Sequence, residues 1–284
     1  GSPQEVDGEG ICAGEYMVET KGINCMSDNI LILSCGTRDL LVRYFKRADY
    51  ERVIGADCSE LAPALYEADK YYLIPRMKEE GYFDAILEIC RKEGITAILP
   101  LQEDELNLIS ENRELFEQEG IRTVVSPVET LQICRDKYCF FEHMTEHGIP
   151  VLNSYIDLDK FEKAYEAGKI GFPVFVKPVR GAGSVGVMKV SCMELLKALF
   201  AYSEEPLLIQ EFCNGREFGI DVYVDLVSGE VVDIFAKEKL RMRAGETEKS
   251  VTSNDPALKE FVYRAASTLK LSGPVDMDVF EKDG

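Results

Sequence analysis

The 284-residue sequence is short of positive charge: 32 Lys and Arg face 51 Asp and Glu, a formal net charge of -19. So acidic a surface repels phosphate backbones and anionic lipid headgroups, which argues against a nucleic-acid or membrane-surface partner. Long apolar runs are missing too. The strand-like cores reach six or seven residues, against the ~20 that a spanning helix needs. Nothing in the opening residues reads as a basic-plus-apolar secretory leader. The nine cysteines, at 12, 25, 35, 58, 90, 134, 139, 192 and 213, stand singly with no Cys-x-x-Cys pair. An odd, scattered set speaks against a disulfide framework or a zinc site, and the expectation is reduced thiols in a cytoplasmic protein. The two histidines, His143 and His147, lie one helical turn apart. No third ligand accompanies them, so they read as helix-surface residues.

What is present suffices for one large or two medium cores, with 46% apolar and 10% aromatic residues. Residues 1–25 are polar and turn-rich, Gly1-Ser2 resembles a protease scar, and Met26 reads as a natural start. A tag or disordered leader is expected there. From Asn29, short apolar strands alternate with amphipathic segments: NILILSC, RDLLVRYFKR, VIGADCS, ELAPALYEADK, FDAILEICRKEG, ITAILPL, ELNLISENRELFEQEG and IRTVVSP. That alternation calls for a doubly wound parallel sheet, with ELAPALYEADK a short helix and ITAILPL the third strand. The first strand-to-helix turn, SCGTRDL, holds a single glycine, so the dinucleotide fingerprint is absent.

After about residue 150 the texture changes. Strands are expected at 172–177, 185–190, 207–212, 217–227 and 230–240, with one good helix, MELLKALF, among them and a hairpin turn at Ser228-Gly229. Neighbouring strands of this kind form an antiparallel α+β unit. Residues 171–250 hold 10 Lys and Arg against 12 Asp and Glu, so the acidic surplus lies almost entirely elsewhere. A polyanionic ligand would require such a local balance.

Within that stretch lies GAGSVGV at 181–187. Taken alone the string fits dinucleotide folds and kinases alike. Its surroundings exclude both: no helix opens directly after it, Lys177 precedes it, and no Gly-Lys-Ser/Thr, HRD or DFG string follows. What remains is strand, Lys-Pro, glycine loop, strand, a hairpin whose backbone N–H groups can fold over phosphates. The alternative is an ordinary glycine-rich turn.

Three blocks in order, PVFVKPVRGAGSVGV, LLIQEFCNGREFGIDVYVD and GPVDMDVFEKDG, resemble the ATP-grasp superfamily, and within it the large subunit of carbamoyl-phosphate synthase and its single-unit relatives. The resemblance implies a Rossmann-like parallel pre-ATP-grasp domain at 26–126, then an antiparallel ATP-grasp domain at 127–284. It implies ATP and Mg²⁺ as cofactors, small-molecule carboxylate and amine substrates, and allows a homodimer. A non-catalytic nucleotide-binding or sensing module of the same fold is the rival.

The resemblance also assigns roles. Lys177 and Lys137 match phosphate-contacting lysines, with Gly181, Gly183, Ser184 and Gly186 forming the loop. The strand end Glu211, Phe212 and Cys213 matches the hinge whose backbone reads adenine, Glu217 the ribose acid, and Phe175 a residue that packs on the base. Arg241, Arg243 and Gly245 lie in a segment facing the acceptor, where two arginines spaced by two share a strand face. Asp276 and Asp278 also share a face, and Asp278 matches the first metal-binding acid. Each has a plain structural alternative: strand-end or helix-start lysines, a core phenylalanine, solvated edge charges. The family's second metal set, Glu-x-Asn on the following strand, does not occur before Gly284. The expectation is therefore a C-terminally truncated piece that binds nucleotide and is itself inactive.

Overall fold

The computed structural model describes residues 28–181, 183, 185–243 and 246–282. The expectations for Gly1 to Cys25, Ser184 and Gly245 lie outside the described residues.

The chain opens with β1 (Asn29–Leu33), α1 (Asp39–Phe45), β2 (Arg52–Asp57), a 3-10 turn (Pro63–Glu67), β3 (Lys70–Leu73), α2 (Tyr82–Glu93), β4 (Ile95–Leu99), α3 (Glu103–Glu111), α4 (Arg113–Gln118) and β5 (Arg122–Thr123). The five strands form one parallel sheet in the order β3-β2-β1-β4-β5. All five residues of β1 are buried, as a central strand covered on both faces must be. Leu31, Leu33 and Ile54 pack on one side against Ile86, Ile109 and Phe116, while Ile30, Ile32 and Val53 pack on the other against Val42 and Leu65.

Three details depart from the sequence reading. ELAPALYEADK makes only a 3-10 turn, because Pro63 starts it and the chain must reach β3 at Lys70. KYYL forms an additional edge strand, so ITAILPL is the fourth strand rather than the third. The helix expected after β4 is divided at Asn112, whose side chain donates to Leu108 O at 2.8 Å.

Two helices follow, α5 (Val128–Arg135) and α6 (Lys137–Glu146). Asp136, in extended conformation, separates them and caps α6 by accepting from Tyr138 N and Cys139 N. Then come β6 (Ser154–Tyr155), α7 (Leu158–Glu166), β7 (Val174–Pro178), β8 (Met188–Val190), α8 (Met193–Tyr202), β9 (Leu207–Glu211), β10 (Arg216–Val224), β11 (Val231–Arg243), β12 (Glu246–Ser253), α9 (Pro256–Ser267) and β13 (Gly273–Glu281). They build two four-stranded antiparallel sheets, β6-β9-β7-β8 and β12-β11-β10-β13. The first packs Val174, Val176 and Ile209 against Phe161 of α7 and Leu196 of α8. The second packs Phe218, Ile220 and Val222 against Val262 and Ala266 of α9 and Met144 of α6. The fold is thus a Rossmann-like parallel α/β sheet followed by antiparallel α+β sheets.

The remaining faces of the two antiparallel sheets border one cleft. The α5–α6 pair is tied to the parallel sheet by Arg135, which holds Glu103 at 2.8 Å and Asp104 at 2.6 Å. Thr130 and Ser126 join it to the α9–β13 connection through Lys270 O and Ser272 N. Among the described residues, no helix is long and apolar enough to cross a membrane.

At the opposite, N-terminal edge of the parallel sheet, Glu93 is almost fully buried and is held by Lys70, Arg52 and the Tyr72 hydroxyl. These partners pull its carboxyl down to about 2, the Lys70 and Tyr72 hydrogen bonds acting most strongly. A depressed carboxyl contributes stability above its unfolded pKa and loses it as pH falls through the folded value, here between about 4.5 and 2. Glu93→Gln should lower stability by about 1–3 kcal/mol at pH 7. Melts at pH 7 and pH 3 should show the wild type and variant converging as the pH drops; a constant difference would place the Glu93 contribution outside its charge.

Candidate functional site

The cleft, about 540 Å³, is lined by Lys137, Lys177, Pro178, Arg180, Gly181, Gly183, Val185, Val187, Gly219, Lys237, Lys239, Met242, Thr247, Asp276 and Asp278. Five of these side chains are cationic and two are carboxylates, an inversion of the balance of the whole chain. Low-dielectric walls concentrate the potential of such a lining.

Alternation along β7 points Val174 and Val176 into the core and leaves Phe175 and Lys177 on the cleft side. Lys177 Nζ donates to Gln210 Oε1 at 2.7 Å, and Gln210 in turn donates to Ser154 Oγ at 3.1 Å. Burial, and then the neighbouring charge of Lys137, pull the Lys177 ammonium down to about 8, with Asp278 opposing. Lys137, the first residue of α6, donates through Nζ to Gly181 O at 2.7 Å and Val179 O at 3.3 Å, and its pKa is lowered by burial. Two part-desolvated cations within each other's field suit an anion that would offset both.

Beside them runs the glycine hairpin joining β7 to β8, in the strand–loop–strand form that the sequence predicts. Gly181, Gly183 and Gly186 all have positive φ, at +116°, +68° and +72°, which residues with a side chain adopt only with strain.

Further along the same sheet face, the Phe175 and Phe212 rings lie 5.5 Å apart, and Lys189 Nζ sits 3.8 Å from the Phe212 centroid. Glu211 ends β9 bound to the segment before β6: its N–H donates to Asn153 O at 2.9 Å and its carboxylate accepts from Asn153 Nδ2 at 2.7 Å. The end of β9 therefore leaves Phe212 and Cys213 as the residues whose backbone is not committed to Asn153.

Across the cleft, the residues of β10, β11 and β13 that share the exposed face include Glu217, Gly219 and Asp221, Lys237 and Lys239, and Asp276 and Asp278, with Phe235 and Phe280 beside them. Lys239 is 10% exposed and bridges Glu217, at 2.8 Å, to Asp278. Lys237 pairs with Asp221 at 2.7 Å. A Cβ on Gly219 would lie 3.2 Å from Lys239 Cε and 3.3 Å from Lys237 Cε, so glycine here lets both lysine stems cross the strand. Burial and the nearby Asp278 and Asp221 charges raise the Asp276 carboxyl.

Arg241 and Arg243 are not among the described residues that line the cleft. Both reach Glu248, at 2.7 and 3.4 Å. Register shifts on either side of Arg241 turn the β11 face over, so that Met242 and its partner Thr247 face the cleft instead. Sequence reasoning missed Lys237 and Lys239, although their spacing by two carried the same signal as the arginines. His143 Nε2 lies 3.0 Å from Thr268 O and stacks on His147 at 4.2 Å. That contact joins α6 to α9. Among the described residues, no group of three or more His, Cys, Asp or Glu could hold a metal by itself. The donor set fits a divalent cation only if phosphate oxygens complete the shell; that the Lys239 ammonium already rests between Glu217 and Asp278 marks the position as one that attracts positive charge.

Fold and cleft define a multi-sheet α/β protein with a basic groove lined on one side by glycines. Residues 30–125 match the family described as PylC-like, N-terminal domain, and residues 144–284 match the family described as D-ala D-ala ligase C-terminus. The chain belongs to the ATP-grasp superfamily. It is 36% identical over 116 residues to D-alanine–D-alanine ligase of Corynebacterium aurimucosum, covering 38% of this chain and 32% of that protein. It is 30% identical over 135 residues to the arginine-specific carbamoyl phosphate synthase large chain of Bacillus subtilis, covering 46% and 13%. N5-carboxyaminoimidazole synthetase of Staphylococcus aureus, solved with ADP, shares the fold with a TM-score of 0.68 at 17% identity, over 89% of this chain and 66% of that one. The chain thus spans a third or less of the length of these curated relatives.

Lys177→Ala should weaken ATP binding about tenfold to a hundredfold, the range of a charge-assisted hydrogen bond, and leave adenosine binding unchanged. Calorimetry giving equal ATP affinities would remove Lys177 from the site.

Proposed function

We propose that this chain is the nucleotide-binding part of an ATP-dependent ligase that joins a small carboxylate to an amine or ammonia. The observation that carries the reading is the desolvated Lys137–Lys177 pair beside a glycine hairpin. In it, Phe175 and Phe212 would flank the base, the backbone of Phe212 and Cys213 would read its edge, and Glu217 would accept the ribose hydroxyls. Lys137, Lys177 and the hairpin N–H groups would hold the phosphates, with Lys237 and Lys239 opposite.

The chemistry proposed is transfer of the γ-phosphoryl group to a carboxylate oxygen with ADP leaving, then attack of the amine nitrogen on the acyl carbon with phosphate leaving. The charge on the transferring group spreads over its oxygens, and fixed lysines around it stabilise that spread without reorganising. Magnesium, when bound at Asp278 with Asp276 beside it, would supply further charge neutralisation. Because Arg241 and Arg243 face Glu248, the acceptor's anion would meet Lys237 rather than the arginines. Likeness to the D-alanine–D-alanine ligase and to the carbamoyl phosphate synthase large chain supports both a single-step carboxylate–amine ligase and a carbamoyl-phosphate-forming enzyme. The higher identity to the former favours the single step.

The test is to incubate the protein in its natural full length with ATP, Mg²⁺ and a panel of amino acids, amines, ammonia and bicarbonate. Acceptor-dependent ADP and phosphate release is expected. Tight nucleotide binding with no release under any acceptor would instead mark a nucleotide-sensing module.

Glu217→Gln keeps shape and loses charge. It should reduce ATP affinity severalfold while lowering Tm by no more than about 3 °C, since only a part-exposed ion pair with Lys239 is lost. A steep fall in Tm with unchanged affinity would make Glu217 structural.

A further inference from the structure

We propose that Lys239 holds Asp278 in reserve, so that the cleft accepts its divalent cation only once a nucleotide has bound. This rests on the nucleotide reading above. The Lys239 ammonium lies between the Glu217 and Asp278 carboxylates, and its side chain is almost fully enclosed, with its stem threaded across Gly219. Glu217 and Asp278 come from different strands, β10 and β13, and Lys239 from a third, β11, so the bridge is built by the sheet and not by local sequence.

In the ion pair with Lys239, Asp278 already has a cation. A divalent ion brought to the same carboxylate would lie against the ammonium and be repelled by it. A nucleotide changes both sides of that balance. Ribose hydroxyls donate to Glu217 and take over part of its charge, while phosphate oxygens accept from the three N–H groups of Lys239. Asp278 is then available to a metal whose other ligands are phosphate oxygens and water. The coupling is reciprocal: whatever nucleotide does for the metal, the metal does for nucleotide.

The probe is Mn²⁺ alone, titrated by electron paramagnetic resonance into wild type, Lys239→Met, Lys239→Gln and the Lys239→Met/Asp278→Asn double variant, all without nucleotide. Wild type should bind Mn²⁺ weakly. Both single variants, in which the two carboxylates face a vacated ammonium position, should bind it at least tenfold more tightly, and the double variant should lose the gain. Thermal melts identify a variant that has not folded, and wild type tests the idea without either: Mn²⁺ affinity as high in the empty cleft as in the ADP complex overturns it. So does equal Mn²⁺ affinity in wild type and the folded Lys239 variants. ADP titrated into wild type in the presence of chelator reads the underlying assignment separately. If ADP fails to bind there, the nucleotide reading falls, while the Mn²⁺ comparison still reports whether Lys239 withholds Asp278.

Discussion

Two lysines that repel one another sit at the centre of this molecule. Lys137 starts a helix and Lys177 lies on a strand forty residues later; burial makes both harder to keep charged, and the Lys137 charge adds to the effect on Lys177. An isolated lysine in such a place would turn outward to water. Here Gln210 fixes one and the carbonyls of Val179 and Gly181 fix the other, so the charge is held facing the cleft. A depressed lysine works against folding wherever it is charged and desolvated. An anion placed against both would offset the repulsion.

The rest of the fold serves that placement. Asp136 ends one helix, caps the next and thereby points Lys137 at the glycine hairpin. Period-two alternation puts Phe175 and Lys177 on one side of β7 and the Val174–Val176 core on the other. The opposing sheet brings Glu217, Lys239 and Asp278 from three strands into a single charged row, with Gly219 leaving room for the lysine stems. Five cationic side chains then line one cleft of a chain whose net charge is -19.

Much of this is legible in the sequence because it depends on local rules. Continuous apolar runs mark the buried strands β1, β2 and β4, and the strand–glycine loop–strand order marks the hairpin. What escaped the sequence depends on pairing. KYYL is too short and too polar at its start to announce an edge strand, and it forms because β2 offers a free side. The α9 helix carries a readable start, Asp255-Pro256, with Asp255 accepting from Ala257 N. The arginines are the instructive case. Arg241 and Arg243 share a face as expected, but irregular pairing with β12 turns that face away from the cleft, and a register shift leaves no trace in alternation. The same alternation, applied two and four residues earlier, finds Lys239 and Lys237 in the groove.

The most direct measurement of the lysine pair's role is proton exchange on nucleotide binding. With Lys177 near 8 in the protein alone, about half of these side chains are neutral at pH 8, whereas a bound phosphate would restore the ordinary lysine value. ADP binding at pH 8, titrated calorimetrically in buffers of different ionisation heat, should therefore take up about half a proton per site, and that uptake should vanish in Lys177→Met. Binding heats that are independent of the buffer in the wild-type protein would contradict the account, because they would show Lys177 to be equally protonated with and without the anion it is placed to meet.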